Sequence, residues 1–190
     1  MKDAPESAKA GRASKHVPTT LLDIADTGFW LMKAEPESRI VNDKDVKFSI
    51  DDLAAAESPE PWDGVRNAEA RNNMQAMKAG ELAFFYHSSC AVPAVMGIMK
   101  IAEEATPDES AFDEGHPYFD DKSSRDKPKW FCVHVKFVEK FPVPVTLAMI
   151  KANAAEGGQL KDMHLIKKSR LSVVRVAKAE WDHIVELGRD

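Results

Sequence analysis

Residues 81–88 read ELAFFYHS, and Leu82 through Tyr86 are apolar without a break. Side chains alternate across a strand. A sheet with one wet face would therefore show every second residue polar. This run must be a strand with protein on both sides, in a closed or covered sheet. Other segments can be placed around it. Phe29 to Lys33 is a short aromatic-apolar strand stopped by Pro36. In AVMGIMKIAEEA, Val95, Met99 and Ile101 face one way, and Gly97 marks a bulge or a close approach. WFCVHVKFVEKF alternates, with Val133, Val135 and Phe137 on one face and His134 and Lys136 on the other, as in a half-buried strand. KKSRLSVVRV gives a basic turn and a last strand.

The helices announce themselves by their caps. Ser49 followed by Asp52 is a near capping box for a short helix that Pro59 and Pro61 end. Asn67 is an N-cap for a helix over 68–78, with Ala70, Met74 and Met77 on one face. Thr146 caps another. A final helix carries Trp181, Ile184 and Val185 on one stripe, with Gly188 as its stop. The sum is an α+β fold: a small barrel of about five or six strands flanked by helices.

A chain of 190 residues, 44% hydrophobic, accounts for one globular domain with a real core. We place a mobile tail at residues 1–26 and a single domain at 27–190. The net charge of −5 disfavours a blanket grip on nucleic acid or an acidic membrane. The two cysteines form no Cys-x-x-Cys pair, and the six histidines show no metal-ligand spacing. No metal site and no cofactor is expected. No apolar run approaches the ~18 residues of a membrane span, and the N-terminus lacks a secretory core. An intracellular protein is expected, with a monomer favoured.

Catalytic signatures are absent. His87, Ser88 and Ser89 are consecutive, but no Gly-x-Ser-x-Gly elbow exists, and neighbours on a strand point apart. Phosphate-loop glycine patterns are missing. What stands out is WDGVRNAEARNN, residues 62–73. Trp62 lies between two turn signals, where it can stack on a planar ligand. Arg66 and Arg71 can hold phosphates through a planar fork, and Asn67 and Asn72 can read a base edge. The alternative for each is structural: capping for Asn67, ion pairing for the arginines. KKSRLS (167–172) would add a cationic patch if it lay near Trp62.

FWLMKAEPES, KFSIDDL, WDGVRNAEARNNMQAMKAGELAFFYHS, GIMKI, HPYFD, KPKWFCVHVKFV and KKSRLSV, in that order, resemble the EVE-domain proteins. Within them the similarity is to the thymocyte nuclear protein family and its bacterial relatives. The resemblance covers roughly Phe29 to Leu187. It implies a PUA-like fold and non-catalytic recognition of a modified base, with modified cytosine in DNA favoured over RNA. The YTH readers of methylated adenine are more distant relatives. The implied site comprises Trp30, Lys33, Ala34 and Glu35 on the first strand and its exit, and Trp62, Gly64 and Val65 on a pocket wall. It further includes Arg66, Asn67, Arg71 and Asn72, then Tyr86, His87 and Ser88 at a strand end. Tyr118 is a lid, and Arg170, Leu171 and Ser172 lie near the phosphates. Relatives usually carry serine where this chain has Ala34 and tyrosine where it has Ala68, which removes one hydroxyl and one ring from the expected pocket. The rival readings are an enzyme acting on modified nucleotides or RNA, and a protein–protein adaptor. A eukaryotic owner implies nuclear residence, a bacterial one the cytoplasm.

An acidic protein can hold DNA if a few placed cations, here Arg66, Arg71 and Arg170, neutralise only the phosphates beside one extruded base. The slope of log affinity against log salt is then shallow, about two or three phosphates' worth. Titration across a salt series checks this, and a slope implying many contacts would overturn the local patch.

Overall fold

A computed structural model describes residues 28–190. The expected tail at 1–26, with Lys2, Lys9, Arg12 and Lys15, lies outside the described residues. The elements run β1 (Phe29–Ala34), β2 (Ile40–Val41), β3 (Lys44–Asp45), α1 (Ile50–Ala55), β4 (Glu60–Pro61), α2 (Ala68–Ala76), β5 (Leu82–His87) and β6 (Ala94–Pro107). They continue with β7 (Phe131–Thr146), α3 (Leu147–Asn153), α4 (His164–Lys167), β8 (Val173–Val176) and α5 (Lys178–Arg189). A 3-10 turn, Glu109–Ala111, lies between β6 and β7.

Six strands form one mixed sheet in the order β4-β7-β6-β5-β1-β8, with β2 and β3 as a separate hairpin. Only β1 and β5 pair in parallel; the other neighbours are antiparallel. The α+β class agrees with the sequence, but the sheet does not close into a barrel: β4 and β8 are its edges. Double-sided burial of β5 comes from cover on each face. Phe84 stacks on Trp181 of α5 with ring centroids 3.9 Å apart. Phe85, on the opposite face, meets Trp62 edge-on at 5.3 Å and Phe48 at 5.6 Å. The second contact buries Trp62, which is 6% exposed and not a ring at a loop tip.

The caps fall where the sequence placed them. Ser49 and Asp52 complete a capping box on α1. The Asn67 side chain accepts from the Ala70 N–H, and Thr146 from the Met149 N–H. Two expectations fail. Phe137 is partly exposed, because the β6–β7 ladder shifts register between Ile98 and Met99 and the alternation does not carry through. Gly188 does not stop α5, which continues to Arg189. A Cβ at Gly188 would lie 2.3 Å from the Phe141 ring, so glycine there serves helix–sheet packing.

Gly97 is the tightest point of the sheet: a Cβ would stand 2.1 Å from the Glu139 carbonyl oxygen, at a register shift. Backbone cannot swing away as a side chain can. Gly97→Ala is therefore expected to cost about 1–3 kcal/mol, read by chemical denaturation. A variant as stable as the parent would show that β6 and β7 are free to separate.

Candidate functional site

The C-terminal ends of the parallel strands β1 and β5 open into a cleft of about 1050 Å³. Its aromatic lining is Phe48, Trp62, Tyr86 and Tyr118. Six cations line it (Lys33, Lys44, Lys47, Arg66, Lys151, Arg170) against four carboxylates (Glu35, Asp45, Glu60, Asp63), so its walls are net positive on an acidic protein. The segment around Trp62 and the basic turn at 167–172 meet here, as Ser169, Arg170 and Ser172 face the same space.

Lys33 is fixed at the strand end: its amine donates to the Ser169 carbonyl at 2.7 Å, and its N–H to Ser172 O. Burial lowers its pKa. The N–H and hydroxyl of Ser88 both donate to the Ala34 carbonyl, at 2.8 and 3.2 Å. A hydroxyl thus sits beside Ala34 although Ala34 brings none. Burial pushes the Tyr86 phenol up to about 12, so it is neutral at ordinary pH.

The 62–66 wall is built on one buried carboxylate. Asp108 is fully buried and accepts from the Gly64 N–H, from Arg66 at 2.8 Å, and from the N–H and hydroxyl of Ser110. Arg66 donates all five of its N–H bonds inside the protein: to Asp108, Ser110, the Val65 carbonyl and twice to the Tyr118 carbonyl. It has no donor left for a phosphate. Its guanidinium lies between the Tyr118 ring at 5.9 Å and the Trp130 ring at 5.6 Å. Tyr118 in turn rests on Gly64: the backbone there has φ +76°, and a Cβ would come within 2.4 Å of the ring.

Arg71 works the same way. It also lies over the Trp130 ring at 5.6 Å and donates to the Lys129 carbonyl and to the Asn72 side chain. The two arginines thus clamp the long 108–130 loop. Asp120 within that loop accepts from the Trp130 indole at 2.6 Å and from Lys129 at 3.1 Å. Those bonds, the indole's first, hold its carboxyl down at about 2.

Of the residues expected at the site, Lys33, Ala34, Glu35, Trp62, Gly64 and Val65 line the cleft, as do Arg66, Tyr86, Ser88, Tyr118, Arg170 and Ser172. Six lie elsewhere. Trp30 is fully buried and donates its indole N–H to Glu81. Leu171 is core, and Asn67 is a cap. Arg71 and Asn72 bond to each other on α2. His87 accepts the Ile50 N–H at 3.1 Å, anchoring α1; burial lowers its pKa, which keeps the accepting nitrogen unprotonated. Sequence reasoning missed Phe48, Asp63 and Lys151 in the lining and Asp108 behind it. Asp63 stood in the quoted stretch but read only as a turn residue. The local bonds of Asp108 to Ser110 mark a cap, and nothing local marks its tie to Gly64 and Arg66.

Residues 28–187 match the family model of the EVE domain. The chain belongs to that family. This EVE domain is 47% identical to human thymocyte nuclear protein 1 over 163 residues, 83% of this chain and 72% of that one. It superposes with a TM-score of 0.82, at 46% identity, on a crystal structure of human THYN1 protein in complex with 5-methylcytosine containing DNA, covering 86% of this chain and 99% of that one. A Pseudomonas putida protein of known structure matches at TM-score 0.73 and 40% identity, over 84% of this chain and 98% of that one. Among the described residues no helix is long and apolar enough to cross a membrane.

Asp108 supplies a test of the wall. Burial raises its carboxyl, but the bonds from Arg66, Ser110 and Gly64 outweigh this, and its net pKa lies below the ordinary value. A depressed carboxylate stabilises the fold above its unfolded pKa, about 3.9, and loses that contribution as pH falls through the folded value. Stability should therefore fall on the acid side of about pH 4. In Asp108→Asn this part of the acid loss should disappear, with a lower plateau at neutral pH by about 3 kcal/mol, the scale of breaking a buried pair. Denaturation curves across pH read both. An unchanged neutral plateau would show that Asp108 does not hold the wall.

Proposed function

We propose that this EVE domain binds DNA carrying a modified cytosine and holds that base, turned out of the helix, in the aromatic cleft. The observation that carries the reading is a preformed cleft with aromatic and net positive walls on a protein of net charge −5. The relative crystallised with 5-methylcytosine containing DNA supports the ligand class and DNA over RNA. A base inside a duplex cannot reach a concave site. Extrusion costs about a few kcal/mol, and stacking returns about 1–3 kcal/mol per base. The volume of about 1050 Å³ lies near the upper end of small-molecule pockets and leaves room for the sugar and its phosphates.

Geometry reassigns the phosphate contacts. Arg66 and Arg71 are committed to the 108–130 loop. Lys44 and Lys47 pair with Asp113 and Asp52. Lys151 and Arg170 line the cleft, are exposed, and have no carboxylate partner among the described residues. With Lys33, which lines the same cleft, they make the phosphate-facing rim. Three cations keep the salt slope shallow. The role we propose is binding: Lys33, Arg66 and Ser88 of the cleft are held by fold-building bonds, and among the described residues no bonded nucleophile–base pair lines it. Residence follows the ligand, in the nucleus of a eukaryote or the cytoplasm of a bacterium.

Fluorescence anisotropy with matched oligonucleotides tests this. The wild type should prefer 5-methylcytosine over cytosine. Tyr118→Ala keeps the backbone carbonyl that Arg66 uses, so the wall stays while a ring is lost. It should weaken the modified oligonucleotide by about 1–3 kcal/mol. Equal wild-type binding to modified and plain DNA would overturn the reading.

A further inference from the structure

Aromatic walls hold a flat ring but cannot say which one. 5-Methylcytosine and thymine share the ring and the methyl group. They differ at the base-pairing edge, where cytosine presents an amino donor and thymine a carbonyl acceptor. A reader of modified cytosine needs an acceptor at that edge, and the cleft has four carboxylates to supply it.

Two of these are engaged. Glu35 pairs with Arg39 at 2.9 Å. Asp45 accepts from the Ser38 hydroxyl and from the N–H groups of Arg39 and Lys47. Glu60 and Asp63 have no cation partner among the described residues, and they differ in place. Glu60 sits on β4, at the sheet edge. Asp63 follows Trp62 directly and precedes Gly64, on which the Tyr118 ring rests. It is therefore the acid between Trp62 and the glycine that carries Tyr118, two rings that line the cleft. The charge of Arg66 reaches it, but that guanidinium is already bound to Asp108. Asp63 is exposed to solvent yet ringed by protein, as a group lining a concave site must be. Burial, and then the charge of Asp108, raise its pKa, and the opposing charges of His116 and Arg66 do not cancel them.

We propose that Asp63 is the specificity residue of the cleft, its carboxylate accepting the exocyclic amino group of the extruded cytosine and so rejecting thymine. This rests on the modified-cytosine reading above. A carboxylate meets the thymine carbonyl as acceptor against acceptor, which leaves both unpaired. An amide in its place offers an N–H to that carbonyl, so Asp63→Asn should reverse the choice.

The test compares 5-methylcytosine, cytosine and thymine at one position of a short duplex, each opposite an abasic site so that extrusion costs alike. Wild type should favour 5-methylcytosine over thymine by at least about tenfold. Asp63→Asn should bring the ratio to unity or below, with thymine binding strengthened. Asp63→Ala should flatten the ratio with no gain for thymine. Thymine binding by the asparagine variant itself reports that it is folded. If wild type prefers 5-methylcytosine to both other bases and Asp63→Asn leaves the ratio intact, Asp63 is not the reader, while the modified-cytosine reading stands. The same follows if Glu60→Gln moves the ratio and the Asp63 variants do not. If wild type shows no preference for 5-methylcytosine over cytosine, the functional reading itself fails, and with it the role of Asp63.

Discussion

The Asp108–Arg66 pair is the constraint on which the cleft depends. Neither partner belongs to a regular element, and their segments are separated by α2, β5 and β6. A loop the length of 108–130 would ordinarily lose its ordering free energy to entropy. Here one carboxylate is sunk beneath it, four donors are aimed at that carboxylate, and a guanidinium spends every N–H on the same joint. Bonds to charged groups contribute about 1.5–3 kcal/mol each, and removing either partner would strand the other. Pairing of this kind adds little net stability over apolar packing. What it does is fix geometry: Gly64, Tyr118 and Trp130 have one arrangement relative to each other, and the cleft wall is made of that arrangement.

The arginines show how a residue type can suggest the wrong chemistry. An Arg-Asn repeat beside a tryptophan resembles a phosphate grip because the guanidinium fork suits phosphate oxygens. The same fork suits backbone carbonyls and a carboxylate, and its flat face suits an indole. In this fold Arg66 and Arg71 both lie over Trp130. In the proposed function, the cations without partners among the described residues, Lys151 and Arg170, take the part first given to Arg66 and Arg71. Field strength falls over a distance of roughly 10 Å in ordinary salt, so the cations that matter are those without partners at the rim, not the chain's total.

Much of this was legible from the chain alone, and the part that was not has a common cause. Ser49, Asn67 and Thr146 were readable as caps because a cap bonds two or three residues along its own segment. The apolar run of β5 correctly demanded cover on both faces. It could not say whether the cover was a closed barrel or a helix on one side and Trp62 on the other, because both bury the same surface. Phe137 and Gly188 misled for a related reason: alternation and helix-stop rules are local, while a register shift and a ring on β7, far back in the chain, are not. The part Asp108 plays in the wall was invisible because the partners that make it, Gly64 and Arg66, lie more than forty positions away.

The burial of Trp62 changes how the cleft must work. Its ring is locked edge-on against Phe48 and Phe85, so it does not swing in to meet a ligand. Tyr86 is likewise held within the core. The ordering of these rings is met by folding, before any base arrives, and binding does not have to supply it. A rigid apolar slot of this kind favours any flat ring of the right size and rejects little. Hydrophobic pockets discriminate a single methyl group by only about 1–3 kcal/mol. Selectivity must then come from polar groups placed at the slot's margin, where an unmatched donor or acceptor stays unpaired on desolvation. The scarcity of uncommitted polar side chains around this cleft turns that requirement into an assignment to very few residues.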